Sequence, residues 1–199
     1  MSIETNQVQT TRTADTSTPI LQVLAKRWSP RSFDPTITID ERALTAALEA
    51  ARWSPSAANL QPWRFIVARR GTVQFAKIEA ALMGFNAAWA GSAGALVVAI
   101  AETENADGDV RRWAEYDLGQ AMAHFSVQAH SDGLHVHQMG GIEVEKLRTA
   151  FDLDGRFVPV SVSAVGTIGA PELLSDTARE RELAPRSRLS AAEILIVNA

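Results

Sequence analysis

The sequence predicts an α+β fold, with a mostly antiparallel or mixed central sheet flanked by helices, and three observations predict it. Helical and strand-like stretches are mixed along the chain without the regular alternation of a doubly wound sheet. The apolar run Ala93 to Ala101 reads as a fully buried strand. From about Val110 to Asp132 there is no proline, and Trp113, Tyr116, Met122 and Phe125 fall broadly on one side, which predicts a long central helix. At 199 residues, 46% hydrophobic and 21% charged, the chain has enough apolar material for one globular core.

Residues 1–18 are rich in Thr, Ser, Asn and Gln, so they read as a flexible arm ahead of a domain spanning residues 19–199. Ile20, Leu21, Val23 and Leu24 form a short helical stripe that delivers Lys26 and Arg27 to a loop broken by Ser29 and Pro30. Asp40 can cap a helix carrying Leu44, Leu48 and Ala51, which Pro55 ends. Phe65 to Ala68 reads as a strand, and Phe75, Ile78 and Leu82 mark a helix. After the buried strand comes a polar turn at Glu104 to Asp109, then the central helix, closed by Gly133. Leu134 to Gln138 is strand-like, Gly140 and Gly141 make a turn, Val144, Leu147 and Phe151 suggest a helix, and Val158 to Ala164 a last strand. Arg179 to Ala199 is charged and then apolar at Ile194 to Val197, as in an arm that packs on something else.

Composition narrows the chemistry. With 19 Lys+Arg against 23 Asp+Glu, the net charge of -4 gives no general attraction to nucleic acid or anionic lipid. The absence of cysteine excludes disulfides, thiolate catalysis, iron–sulfur clusters and Cys-based zinc sites, and makes a cytoplasmic setting the default expectation. The N-terminal residues are polar and do not read as a secretory signal. The longest apolar stretch is far short of the ~20 residues of a membrane helix, so no membrane partner is expected.

Two groups of residues could carry chemistry. Arg27, Ser29 and Arg31 alternate beside a proline, and Arg186 and Arg188 flank a serine after Pro185. Guanidinium forks and hydroxyls suit a phosphate monoester, and no glycine-rich phosphate loop is present to hold one by its backbone. The second group is the loop PSAANLQPW, Pro55 to Trp63, where two prolines fix a polar segment bearing Ser56, Asn59 and Gln61. The four histidines, His124, His130, His135 and His137, lie in one short region. His135 and His137 would share a strand face, but without an acidic partner they suggest neutral, hydrogen-bonded structural residues and no metal. Trp113 and Tyr116 read as core packing.

RWSPRSF at Arg27 to Phe33, ARWSPSAANLQPWRFIV at Ala51 to Val67 and PRSRLS at Pro185 to Ser190 resemble the FMN-dependent nitroreductase family, and the likeness covers nearly all of residues 20–195 in the right order. The resemblance implies that Arg27, Trp28, Ser29 and Arg31 grip the flavin from its phosphate to its pyrimidine end. It assigns Pro55, Ser56 and Asn59 to a loop reaching the flavin of a partner subunit. Asn86 would meet the pyrimidine edge, the amides of Gly140 and Gly141 would approach the central ring, and Arg186 and Arg188 would close on the phosphate. Trp28 stands where many relatives have Arg or His, Ala57 replaces a common Ser, and Gly140 replaces a residue that is often polar.

By the same resemblance the protein is a homodimer exchanging C-terminal arms, with FMN as cofactor and NADH or NADPH as electron donor. It would reduce nitroaromatic, quinone or activated-alkene acceptors by ping-pong hydride transfer, with the flavin and no side chain as the catalytic group, and Arg31 stabilising its N1–O2 edge. Two rival readings are a flavin-binding or storage protein without turnover and, more remotely, a hydrolase with a histidine-bound metal. No acidic residue reading the nicotinamide ribose is recognisable, so the donor stays open between NADH and NADPH.

Overall fold

The computed structural model describes residues 12–198. Strands β1 (Trp63–Arg69), β2 (Ala95–Glu102), β3 (His135–Met139) and β4 (Phe157–Gly166) form one sheet in the order β1-β2-β4-β3, antiparallel throughout. Every residue of β2 is buried, as its unbroken apolar run requires of an inner strand covered on both faces. Its side chains alternate between two cores. Ala95, Val97, Ala99 and Ala101 join one, while Leu96, Val98 and Ile100 join the other. The register against β4 shifts between Ala99 and Ile100, beside Pro159, which has no N–H to give the ladder.

Helices cover both faces. The chain continues from α1 (Gln22–Lys26) to α2 (Glu41–Arg52), whose N-cap Asp40 accepts from the Arg42 and Ala43 amides. Short helices α3 (Val73–Glu79) and α4 (Gly84–Ala87) follow β1, and α5 (Ala114–Ser131) pairs with α2 on the first core. Helix α6 (Val144–Phe151) packs on the second core through Leu147, and α7 (Asp176–Leu183) and α8 (Ala191–Ile194) end the chain.

Several boundaries differ from the sequence expectation. Helix α5 begins four residues late because Val110 is bridged to Glu104 around a turn in which Gly108 takes φ +87, and the Arg111 amide donates to Thr103. Trp113 and Tyr116 are not core residues but 52% and 66% exposed, while Met122 and Phe125 are buried. Trp113 precedes Met122 by about two and a half helical turns, which places it on the opposite side. Leu82 lies beyond the end of α3, bridged to Ile142. The segment expected as an arm from Arg179 begins inside α7, which is anchored by buried Ala178 and Glu182, and its apolar residues beyond the helix are exposed.

Of the arm expected at residues 1–18, residues 1–11 lie outside the described part. Residues 12–14 pack on the domain: the Ala14 amide donates to Ala25, and the Arg12 guanidinium sits 3.9 Å over the Trp28 ring. Among the described residues no helix is long and apolar enough to cross a membrane.

Candidate cofactor site

The loop from Arg27 to Phe33 leaves α1 and is laid against the segment after β4. The Gly169 amide donates to Ser32 and the Asp34 amide to Thr167, with Phe33 bridged to Ile168. The approach is so close that a Cβ on Gly169 would fall 2.7 Å from the Phe33 carbonyl carbon. Helix α7 locks the loop from the other side. Glu182, only 2% exposed, accepts the Arg31 amide at 2.9 Å and the Ser32 amide at 3.2 Å. Burial pushes its carboxyl above the ordinary glutamate range despite these bonds and the nearby Arg12 and Arg31 charges.

This scaffold brings the two ends of the chain together. Arg186 donates to the carbonyls of Arg12 and Ala25, at 2.6 and 2.8 Å, so the segment after α7 returns to α1. Burial lowers the pKa values of Arg27 and Arg186; repulsion from Arg188 adds to the effect on Arg27, and that from Arg27, Arg188 and Arg12 to the effect on Arg186. Among the described residues none of Arg12, Arg27, Arg186 and Arg188 makes an ion pair. A cavity of about 310 Å³ opens beside this patch, lined in part by Arg12, Trp28, Glu182 and Arg186. Trp28 itself is buried and Ser29 is exposed.

Arg31 extends toward Phe85. Its guanidinium lies 5.7 Å from the Phe85 ring, and Arg181 lies 4.4 Å from the same ring. The contact with Glu182 is long, 3.9 Å, and the Arg31 Nε is buried without a partner. Next to Phe85, Asn86 donates to the Gly141 carbonyl at 3.4 Å, so Asn86 and the exposed Gly140 and half-buried Gly141 stand together. His137 joins this side. Its ring is 4.6 Å from Trp89, and its Nδ1 is bonded to the Pro30 carbonyl at 2.9 Å. Burial, with a smaller push from Arg31, pulls its pKa down to about 4, so the ring is neutral near pH 7.

Pro55, Ser56 and Asn59 are elsewhere. Their loop is held by the Ala57 amide, which donates to Asp117 in the first turn of α5 at 3.0 Å. Arg27 acts on His130, at the far end of the same helix. Thirteen residues at 1.5 Å each place His130 about 20 Å along the helix from Asp117. The loop carries unusual backbone: Ala58, Asn59 and Gln61 take φ of 48, 55 and 50, conformations costing on the order of 1 kcal/mol or more each for residues other than glycine.

The histidines divide among separate surroundings. His124 is bonded to Ser54 at 2.7 Å, whereas His135 lies edge-on to His130 at 5.1 Å with both ring nitrogens buried and unpartnered. The strand neighbours His135 and His137 therefore do not share a ligand position, and His135 lacks the hydrogen bond expected of it. Burial and His130 lower its pKa to about 4.

Sequence reasoning missed Glu182, Asp117, Phe85 and Arg12. Each acts on a partner remote in the chain, and no local spacing marks it.

The arrangement fits a flavin mononucleotide. Its phosphate needs cations without carboxylate partners, which the arginine patch has, and its ring system offers acceptors to a donor such as the buried, unpartnered Nε of Arg31. Residues 24–167 match the nitroreductase family. An uncharacterised 15.4 kDa protein of Mycolicibacterium smegmatis is 33% identical over 138 residues, covering 66% of this chain and 92% of that protein. A CLA biosynthesis enone reductase of Lactiplantibacillus plantarum is 27% identical over 184 residues, 74% of this chain and 84% of the enzyme. The crystal structure of an oxidoreductase containing FMN superposes with a TM-score of 0.85 at 32% identity, covering 90% of this chain and 92% of that one.

Proposed function

The chain belongs to the nitroreductase family, and from that premise we propose that it is an FMN-dependent NAD(P)H oxidoreductase that reduces nitroaromatic, quinone or activated-alkene acceptors. The observation that carries this reading is the gathering of Arg27, Arg186 and Arg188 into one patch without a carboxylate partner among the described residues. In this reading those three hold the cofactor's phosphate, with Trp28 and Ser29 beside them. Arg31, Asn86 and the backbone of Gly140 and Gly141 meet the ring. Bound there, the group supplies two-electron chemistry between a nicotinamide donor and an oxidised acceptor, which no side chain of this protein can supply.

The protein's own part is to bind, orient and place charge. Glu182 fixes the backbone of Arg31 without engaging its guanidinium closely, so a permanent cation stays free to stabilise negative charge on the reduced ring. Neutral His137 adds no competing cation near pH 7. The separation of about 20 Å along α5 favours a symmetric pair of chains, in which Pro55, Ser56 and Asn59 of each serve the other's cofactor. The exposed Leu189, Ile194, Leu195, Ile196 and Val197 suit an arm lent to that neighbour.

A visible absorption spectrum of the protein incubated with FMN tests the reading. The expected result is a yellow protein, bleached without oxygen by NADH or NADPH and recoloured by a quinone. A protein that stays colourless overturns it. One that binds FMN but is bleached by neither donor supports storage instead. An FMN-loaded monomer in light scattering removes the shared site.

A further inference from the structure

Glu102 ends β2 with 4% exposure, and three arginines converge on it. Arg64 at 2.5 Å and Arg111 at 3.2 Å reach its Oε2, and Arg156 at 3.2 Å reaches its Oε1. Three cations exceed what one carboxylate needs, and two of them also bond the loop before β1. Arg64 also donates to the Gln61 carbonyl at 3.0 Å, and Arg111 to the Leu60 carbonyl at 3.2 Å. The Glu102 amide bonds the next carbonyl, that of Pro62, at 2.7 Å. At the other end of the loop Asp117, 3% exposed, holds the Ala57 amide. Between these anchors lie the three left-handed residues Ala58, Asn59 and Gln61. None is glycine, so that conformation persists only where the surroundings over-determine it.

We propose that Glu102, through Arg64 and Arg111, and Asp117, directly, are positioning residues that clamp the two ends of the Ser56 to Gln61 loop and so present Ser56 and Asn59 to the cofactor. The second half of this statement rests on the proposed function. The clamp does not. Arg156 binds the same carboxylate but does not touch the loop, and therefore provides an internal control.

The experiment compares Glu102→Gln, Arg111→Gln, Asp117→Asn and Arg156→Gln with the wild type in two readouts. The first is amide hydrogen exchange of residues 57–61 in the cofactor-free protein. Exchange should quicken in the first three variants and match the wild type in Arg156→Gln, whatever each does to the melting temperature. Equal exchange in all four overturns the clamp. The second is the FMN dissociation constant with the visible circular dichroism of the bound flavin. The three clamp variants should weaken binding about tenfold or more and alter the dichroism, since small misplacements of positioning groups have effects of that order. Quickened exchange with unchanged affinity and dichroism keeps the clamp and overturns its service to the cofactor. A wild type that takes up no FMN overturns the proposed function and leaves the exchange result to judge the clamp. If Glu102→Gln does not fold, Arg64→Lys keeps a cation for Glu102 without the fork whose one nitrogen bonds Glu102 while the other reaches Gln61, and carries the same expectation.

Discussion

Replacing Glu182 by Gln isolates the contact that fixes the Arg31 loop. The carboxylate uses one oxygen for each of two amides, at 2.9 and 3.2 Å. Glutamine retains a single acceptor oxygen and turns its NH2 toward the other amide, leaving a buried donor unmatched at a cost of about 1–3 kcal/mol. Releasing a carboxylate from a site that disfavours its charge returns part of this, so the net loss should be about 1–2 kcal/mol at pH 7. For a chain of this size that is roughly 2–8 °C in melting temperature. The pH dependence has a defined sign. The folded state raises the Glu182 pKa above its ordinary value of 4.5, so it holds the proton more tightly than the unfolded chain. The associated stability is fully present below pH 4.5 and is lost as pH rises through the folded pKa. The wild-type advantage over Glu182→Gln should therefore be largest near pH 4.5 and narrow toward pH 7 in urea titrations. A gap that widens over that interval refutes burial as the dominant influence on Glu182. Melting within 1 °C of wild type at pH 7 refutes its role in holding the loop.

Three further outcomes can be checked. Gly169→Ala should cost about 1–3 kcal/mol by calorimetry because its methyl meets the backbone of Phe33 and Asp34, whereas Gly119→Ala, with open space around it on α5, should gain about 0.5–1 kcal/mol. His135 has a folded pKa of about 4, below its ordinary 6.5, so its contribution is present above pH 6.5 and lost as pH falls toward 4, by up to about 3 kcal/mol. His135→Leu should accordingly flatten stability over that range, and an unchanged slope excludes His135 as its source. Arg31→Ala should lower the reduction potential of bound flavin by about 30–60 mV, corresponding to one charge-assisted contact in a two-electron couple; an unchanged potential with full cofactor occupancy removes that role.

How far the sequence could be read depended on whether the signal was local. Helix α2 was legible because Asp40 and the Leu44, Leu48, Ala51 stripe act within a few turns, and β2 because an inner strand must be apolar on both faces. The start of α5 was not, because a bridge between Glu104 and Val110 competes with helix over four residues that have no proline to mark the boundary. Helix α7 was missed for a related reason: its apolar face is reduced to Ala178, and the other buried residue is an acid. At the site the arginines could be singled out because guanidinium groups near both ends of the chain are chemically conspicuous. The carboxylates that aim the loops were hidden. Glu182 bonds residues 150 and 151 positions away, and Asp117 bonds one 60 positions away.

That division has a physical basis. A ligand-binding side chain is chosen for the ligand's chemistry, and its type alone carries information. An acid that holds backbone amides is chosen for where the fold delivers it, and its type is the same as that of any solvated surface acid. Glu182, Asp117 and Glu102 differ from their exposed neighbours only in being 2–4% exposed while bonded to a loop, either directly or through arginine. Burial of a carboxylate is costly enough that it persists only where several donors converge on it. Among the described residues each such convergence lies beneath a loop that carries proposed cofactor contacts: Arg31 above Glu182, and Ser56 and Asn59 between Asp117 and Glu102. The residues that recognise the ligand and those that fix their position are therefore separate sets, and substitutions in the second set should alter cofactor affinity without removing any group that touches it.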